Sequence, residues 1–165
     1  MITIRPARTA DVREIRALID SYSTDGSLLS KATVTIFEGI QEFLVATDGE
    51  RVIGCGALHV MWEDLAEVRT LAVVPDRANE GVGSQMLQHL LEKARVLGTR
   101  RVFCLTFKKD FFGHHGFIEI GSPPVGHDVY EQMLQSYDEG VAEFLGLERV
   151  KPNTLGNFRM LRETP

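Results

Sequence analysis

The chain is short of cysteine and tryptophan, has no cationic run and has no long apolar stretch. Two cysteines in 165 residues, Cys55 and Cys104, cannot build a disulfide framework. Both fall in apolar, strand-like runs, and buried thiols without a staple point to a reducing compartment. A net charge of −5 with no Lys/Arg cluster excludes nucleic acid as the main partner. No apolar run approaches the ~20 residues that span a bilayer. Ile2 to Pro6 alternates like a strand rather than forming a charged leader with an apolar core, so a cytoplasmic location with no membrane partner is expected. His114 and His115 are adjacent, but no Cys, His or carboxylate spacing completes a metal site around them, so no metal is expected. What remains is an ordinary globular composition, 44% apolar, at a length suited to one domain over residues 1–165.

The most informative stretch runs from Ala66 to Gly98. Val68, Leu71, Val73 and Val74 mark a buried strand stopped by Pro75. Met86, Leu87, Leu90, Leu91, Ala94 and Leu97 hold one face of a helix, and Gly98 suits a left-handed C-cap. Between them, Arg77 to Ser84 contains Gly81-Val82-Gly83. The first N–H groups of a helix lack partners and lie at a positive dipole end, and glycines there let a phosphate reach the main chain. The stretch therefore reads as a pyrophosphate cradle. It is not a dinucleotide fingerprint, whose third glycine is replaced by Met86, nor a P-loop, since no Lys-Ser or Lys-Thr follows the glycines.

The rest of the chain predicts strands around this unit. After strand 2–6, Thr9 and Asp11 offer N-cap oxygens to a helix marked by Val12, Ile15, Leu18, Ile19 and Tyr22. A short helix is expected over 33–40. Strands 43–46 and 52–60 join at Asp48-Gly49, with Gly54 and Gly56 marking a bulge or a close backbone approach. A buried strand over 101–107, a helix or turn over 110–115 and a strand over 117–120 follow. In the tail, Val129 to Tyr137 has helical spacing, Asp138 to Leu145 continues or restarts it, and Phe158 to Leu161 is expected as a closing edge strand. Hairpins ahead of a β-α-β crossover give an α/β (α+β) order with a mixed sheet.

V-V-P-D-R-A-N-E-G-V-G-S-Q-M-L resembles the acetyl-CoA loop of the GNAT superfamily of N-acetyltransferases, and Phe111-Phe112-Gly113-His114-His115-Gly116-Phe117 resembles a second signature of that family. Leu28-Leu29-Ser30-Lys31, Gln41-Glu42-Phe43, Gly54-Cys55-Gly56-Ala57-Leu58, Ala66 to Val73 and Val150 to Asn157 are similar to the short amino-acid N-acetyltransferases of arginine biosynthesis, which make N-acetylglutamate. The resemblance implies a GNAT acyl-CoA N-acyltransferase fold, with a mixed central sheet whose middle strands splay apart. It implies acetyl-CoA as co-substrate and the α-amine of L-glutamate as acceptor, with glutamine, another amino acid or another small amine as the alternative acceptor. A non-catalytic acetyl-CoA sensor is the alternative of a different class, and a homodimer is left open.

By the same resemblance, Glu67 is the general base and Thr106 assists the leaving thiolate. Leu71, Ala72 and Val73 meet the pantetheine arm, and Arg77, Asn79, Glu80, Gly81, Val82, Gly83, Ser84 and Phe112 complete the cofactor site. Lys31, Arg69, Asn157 and Arg159 serve the substrate carboxylates. Arg69, two residues from Glu67 on a strand, shares its face and can pair with it or with substrate. Two departures stand out. The loop's usual Gln/Arg is Ala78, followed by Asn79 where many relatives have glycine, so a weakened grip on the cofactor is expected. Phe112 stands where many relatives have a tyrosine, and it cannot donate a proton.

Overall fold

A computed structural model describes residues 1–24, 32–145 and 157–164. Seven strands form one mixed sheet: β1 (Ile2–Pro6), β2 (Phe43–Asp48), β3 (Arg51–Trp62), β4 (Leu65–Val73), β5 (Arg101–Thr106), β6 (Ile118–Ile120) and β7 (Phe158–Glu163), in the order β1-β2-β3-β4-β5-β7-β6. All neighbours are antiparallel except β4 and β5, joined by the crossover helix α3 (Val82–Leu97). The expected closing edge strand is therefore corrected: β7 lies inside the sheet between β5 and β6, and β6 is the edge. A return strand inserted between two earlier ones leaves no local mark in the sequence.

The two faces bury different helices. Ala66, Val68, Val102, Cys104 and Met160 turn toward α3, where Met86, Leu87, Leu90 and Ala94 supply the matching stripe. Phe112 of α4 (Lys109–His114) closes the same core. The opposite face carries two separate clusters. One packs Val12, Ile15 and Ile19 of α1 (Val12–Ser23) and Ile36 of α2 (Thr33–Glu38) on Val45, Cys55, Ala57 and Ala72. The other packs Met133 of α5 (His127–Met133) and Val141, Phe144 and Leu145 of α6 (Glu139–Leu145) on Leu65 and Phe103. The helical spacing of the tail thus restarts rather than continues. The seam between these clusters is where β4 places Glu67 and Arg69.

Three local features agree with or sharpen the sequence reading. The α3 C-cap Gly98 is left-handed at φ 86°. Gly54 and Gly56 mark a close approach of α3: a Cβ on Gly54 would lie 2.9 Å from Met86 Sδ, and one on Gly56 3.0 Å from Leu90 Cδ1. The bulge opposite Gly56 belongs to β4, because Cys55 faces Ala72 while Ala57 faces Arg69, so Thr70 and Leu71 together oppose Gly56. Asp11 departs from its expected capping role. Its side chain makes no cap bond to α1; it accepts from the Arg8 N–H at 2.7 Å and pairs with Arg5 at 2.8 Å.

Candidate active site

β4 and β5 pair over three residues only, Leu65–Glu67 with Arg101–Phe103, and then part. The parting opens a cleft of about 590 Å³ lined by Val68 to Val73, the loop from Arg77 to Ser84 apart from Glu80, Leu105 to Lys108, Phe111, Phe112 and Tyr22. Thr70 marks the divergence, at φ 59° and buried. A β-branched residue in the left-handed region costs on the order of 1–3 kcal/mol and persists only where its surroundings impose it.

Beyond the bulge, β4 keeps its bonds to β3 on one edge and shows the other to the cleft. The Val74 N–H donates to Ile53 C=O at 2.9 Å. By the alternation of an antiparallel strand, Ala72 then turns its peptide groups to β3, while the Leu71 carbonyl and the Val73 N–H point to the open edge. The Val73 carbonyl already accepts from Tyr22 Oη at 2.6 Å. Of the three residues expected to meet an extended arm through their backbones, Leu71 and Val73 are so disposed and Ala72 is not.

The loop forms the far wall. Gly81, N-cap of α3, is left-handed at φ 80°. Gln85 N–H closes onto Gly81 C=O, leaving the N–H groups of Val82, Gly83 and Ser84 as the unsatisfied first turn of a 16-residue helix. Asn79 sits at φ 67°. Asparagine is among the few residues that tolerate this region, so it replaces glycine without altering the loop's path. Arg77 lines the cleft beside Ala78, with its guanidinium already paired: Nε bonds Glu80 at 2.7 Å and Nη1 bonds Asp48 at 2.8 Å. Glu80, expected at the cofactor, is instead committed to Arg77 and does not line the cleft. Ser84 Oγ lies 3.0 Å from His115 Nε2, which ties the loop to the second motif. Burial, together with His114 and Arg162, holds the His115 imidazole below its ordinary value and therefore neutral.

Glu67, the last β4 residue paired with β5, stands just before the residues that line the cleft and is 4% exposed. Arg69 Nη2 and Nε reach its Oε2 at 2.6 and 3.0 Å, confirming the shared face. The same guanidinium bridges to Asp138, with Nη1 3.0 Å from its carboxylate. Burial pulls on the Arg69 charge, but Glu67 and Asp138 outweigh it and hold the guanidinium firmly protonated. Burial likewise opposes ionisation of Asp138, yet Arg69 and His59 hold its carboxyl down to about 2. Arg69 is thus consumed by the protein's own carboxylates. Glu67 Oε1 makes no hydrogen bond to the described residues. Thr106 lies across the cleft; its Oγ1 accepts from Lys108 N–H at 2.8 Å, leaving the hydroxyl proton to donate elsewhere. Phe112 is buried between Phe111 and Phe117, a wall without a proton. Burial pushes the Cys55 thiol up to about 12 and the Cys104 thiol well up, with Glu67 adding to the latter, so neither is a nucleophile.

Of the expected carboxylate binders, Arg159 lies on β7 opposite Leu105, on the sheet face of Phe103 and Leu105 that Glu67 also shares. Its Nε is buried without a hydrogen-bond partner among the described residues. Asn157 immediately precedes β7. Neither lines the cleft itself, and Lys31 lies outside the described residues. Sequence reasoning missed Tyr22, Thr70, Phe111, Lys108 and Asp138. Of these, Phe111 stands in the second family signature, and Thr70 had a signal in the strand pattern: Val68, Leu71 and Val73 all face α3, and a spacing of three within a period-two strand is a phase slip.

Residues 13–119 match the acetyltransferase (GNAT) family profile. The chain is 51% identical over 161 residues to an amino-acid acetyltransferase of Mycobacterium tuberculosis, covering 96% of this chain and 92% of that one. A crystal structure of an M. tuberculosis protein in complex with CoA and NLQ superposes with a TM-score of 0.94 at 50% identity, over 98% of both chains. The N-acetylglutamate synthase of Neisseria gonorrhoeae, solved with coenzyme A and N-acetyl-glutamate, shares the fold at a TM-score of 0.81 and 24% identity, this chain matching 35% of its length. Splayed strands, a bulged β4, a glycine loop on α3 and these likenesses agree: the chain belongs to the GNAT family of acetyltransferases.

Proposed function

We propose that the protein transfers the acetyl group of acetyl-CoA to the α-amine of L-glutamate, giving N-acetylglutamate and CoA, as the first step of arginine biosynthesis. The observation that carries the reading is the cleft that opens just past Glu67, the last β4 residue paired with β5, with the unsatisfied N–H groups of Val82, Gly83 and Ser84 at its far wall. The near end-to-end likeness to an amino-acid acetyltransferase supports it. A cleft running from β4 to the α3 N-terminus fits an extended acyl carrier whose pyrophosphate rests on that N-terminus and whose arm meets the open edge of β4 at Leu71 and Val73.

The acceptor must lose a proton before its nitrogen can form the new C–N bond. A chain-terminal α-amine has a pKa of about 8 and the α-amine of a free amino acid is more basic still, so a base is needed near neutrality. Glu67 takes that proton, directly or through one water, at Oε1, which has no hydrogen bond among the described residues. As the C–S bond breaks, the thiolate is met by the Thr106 hydroxyl. A thiol of pKa about 8.5 leaves with only weak assistance, and that is consistent with Phe112 in place of a phenol. Holding amine and thioester in one cleft supplies the largest share of the rate.

Arg159, whose buried Nε has no partner among the described residues, is suited to a substrate carboxylate. Because Arg69 is neutralised by Glu67 and Asp138, a second reading, glutamine as acceptor, has an observation in its favour. A thiol-release assay with acetyl-CoA against a panel of amino acids separates them. Turnover with glutamate above all others is expected. A preference for glutamine selects the second reading, and binding of acetyl-CoA without thiol release for any amine refutes both.

A further inference from the structure

Asp138 enters the site from the turn before α6, far along the chain from β4. One Asp138 oxygen also accepts from the Val141 N–H at 3.0 Å, which ties the carboxylate to the first turn of α6. Next to it, a Cβ built on Gly140 would lie 2.5 Å from Arg69 Nη2 and 2.7 Å from Cζ. The guanidinium is therefore pressed onto the α6 backbone where no side chain fits. The tail element is docked on the cation that Glu67 also grips.

We propose that Asp138, with Gly140, is a positioning residue that holds the Arg69 guanidinium partly away from Glu67, so that Glu67 keeps one carboxylate oxygen open to the amine. The proposal rests on the reading of Glu67 as the base. Its physical content is the sharing of one cation by two carboxylates. With Asp138 ionised, the cluster of Glu67, Arg69 and Asp138 carries a net negative charge, which suits an incoming ammonium and its proton. Without it, Arg69 belongs to Glu67 alone, and Glu67 becomes a weaker base.

Among the described residues, the other titratable or charged groups facing this cluster are few. His59 of β3, the cross-strand partner of Glu67, is bonded through Nδ1 to Glu42 at 2.7 Å. Cys104 of β5 stays a neutral thiol. Arg159 of β7 lies beyond Leu105, and Tyr130 of α5 packs in the neighbouring apolar cluster. None of these bonds Arg69, so Asp138 is its second partner.

The test is Asp138→Asn in the full chain, followed by carboxyl ¹³C NMR titration of Glu67, its resonance assigned by its loss in Glu67→Gln. Removing one like charge from the shared cation is expected to move the Glu67 midpoint about one pH unit lower. The acidic limb of kcat should follow it, with kcat falling about three- to tenfold at neutral pH and KM for acetyl-CoA unchanged. Asp138→Glu, which keeps the charge, should restore the midpoint toward wild type. Gly140→Ala, which keeps every charge but displaces the guanidinium, should lower kcat while thermal melting shows a folded protein. If Asp138→Asn is unfolded, these last two variants carry the test. An unmoved Glu67 midpoint in Asp138→Asn overturns the proposal, as does full activity in Gly140→Ala. An acidic limb that persists in Glu67→Gln instead refutes Glu67 as base, and is distinguished by the NMR midpoint, which needs no turnover.

Discussion

Replacing Arg69 by methionine removes the cation and keeps much of the side chain's length. Two carboxylates then lie together without a bonded guanidinium, one of them, Glu67, only 4% exposed. Breaking a buried pair by deleting one partner typically costs about 3–5 kcal/mol. The pH dependence separates this charge effect from lost packing. In the wild type, Asp138 is held at about 2 against an ordinary 3.8, a depression worth about 2 kcal/mol of stability. That stability is fully present above the unfolded value and is lost as the pH falls through the folded value. In the variant the sign reverses. Burial and mutual repulsion raise both carboxyls above their unfolded values, so the destabilisation is largest at neutral pH and is relieved as they take up protons.

Denaturant unfolding of both proteins at pH 7.5, 5.5 and 4.5 reads the difference. The gap between wild type and Arg69→Met is expected to be about 3–5 kcal/mol at neutrality and to shrink steadily on acidification. A gap of the same size at every pH would mean that the guanidinium contributes only its apolar stem. The account of a charge-balanced cluster at the root of the cleft would then be wrong.

Three further outcomes are expected. Thr106→Val, which removes the hydroxyl across the cleft, should lower kcat about three- to thirtyfold with KM for acetyl-CoA nearly unchanged in steady-state thiol release, since one hydrogen bond formed only as the thiolate leaves is lost. Gly56→Ala places a Cβ 3.0 Å from Leu90 Cδ1 and 3.1 Å from Leu71 Cδ1; overpacking of this kind should cost about 1–3 kcal/mol in denaturant unfolding. Asn79→Ala forces an alanine into φ 67°; a loss of about 1 kcal/mol in stability and a raised KM for acetyl-CoA are expected, with Asn79→Gly restoring both.

How much of this was legible in the sequence follows from how local each cause is. The glycine loop, α3 and the hairpin before β3 rest on residues within one or two turns of each other, and their patterns sufficed. The faces of Glu67 and Arg69 follow from strand alternation alone. The insertion of β7 between β5 and β6 depends on a return from the far end of the chain, which a short apolar run cannot announce. Asp138 was invisible for the same reason. Its role is set by docking α6 on β4, and in sequence it is one more carboxylate in an irregular tail.

Two cations near the anion sites have partners within the chain. Arg77 lines the cleft and bonds Glu80 and Asp48, while Glu80 does not line it. Arg69, read as pairing with Glu67 or with substrate, pairs with Glu67 and Asp138. In each case a carboxylate of the chain itself is in reach of the cation. The consequence bears on the anionic ligand. The described loop presents it with helix N–H groups and with a guanidinium whose charge is already balanced by Asp48 and Glu80, so its binding should depend weakly on ionic strength. A steep fall in acetyl-CoA affinity between low and physiological salt would contradict a cradle made of backbone.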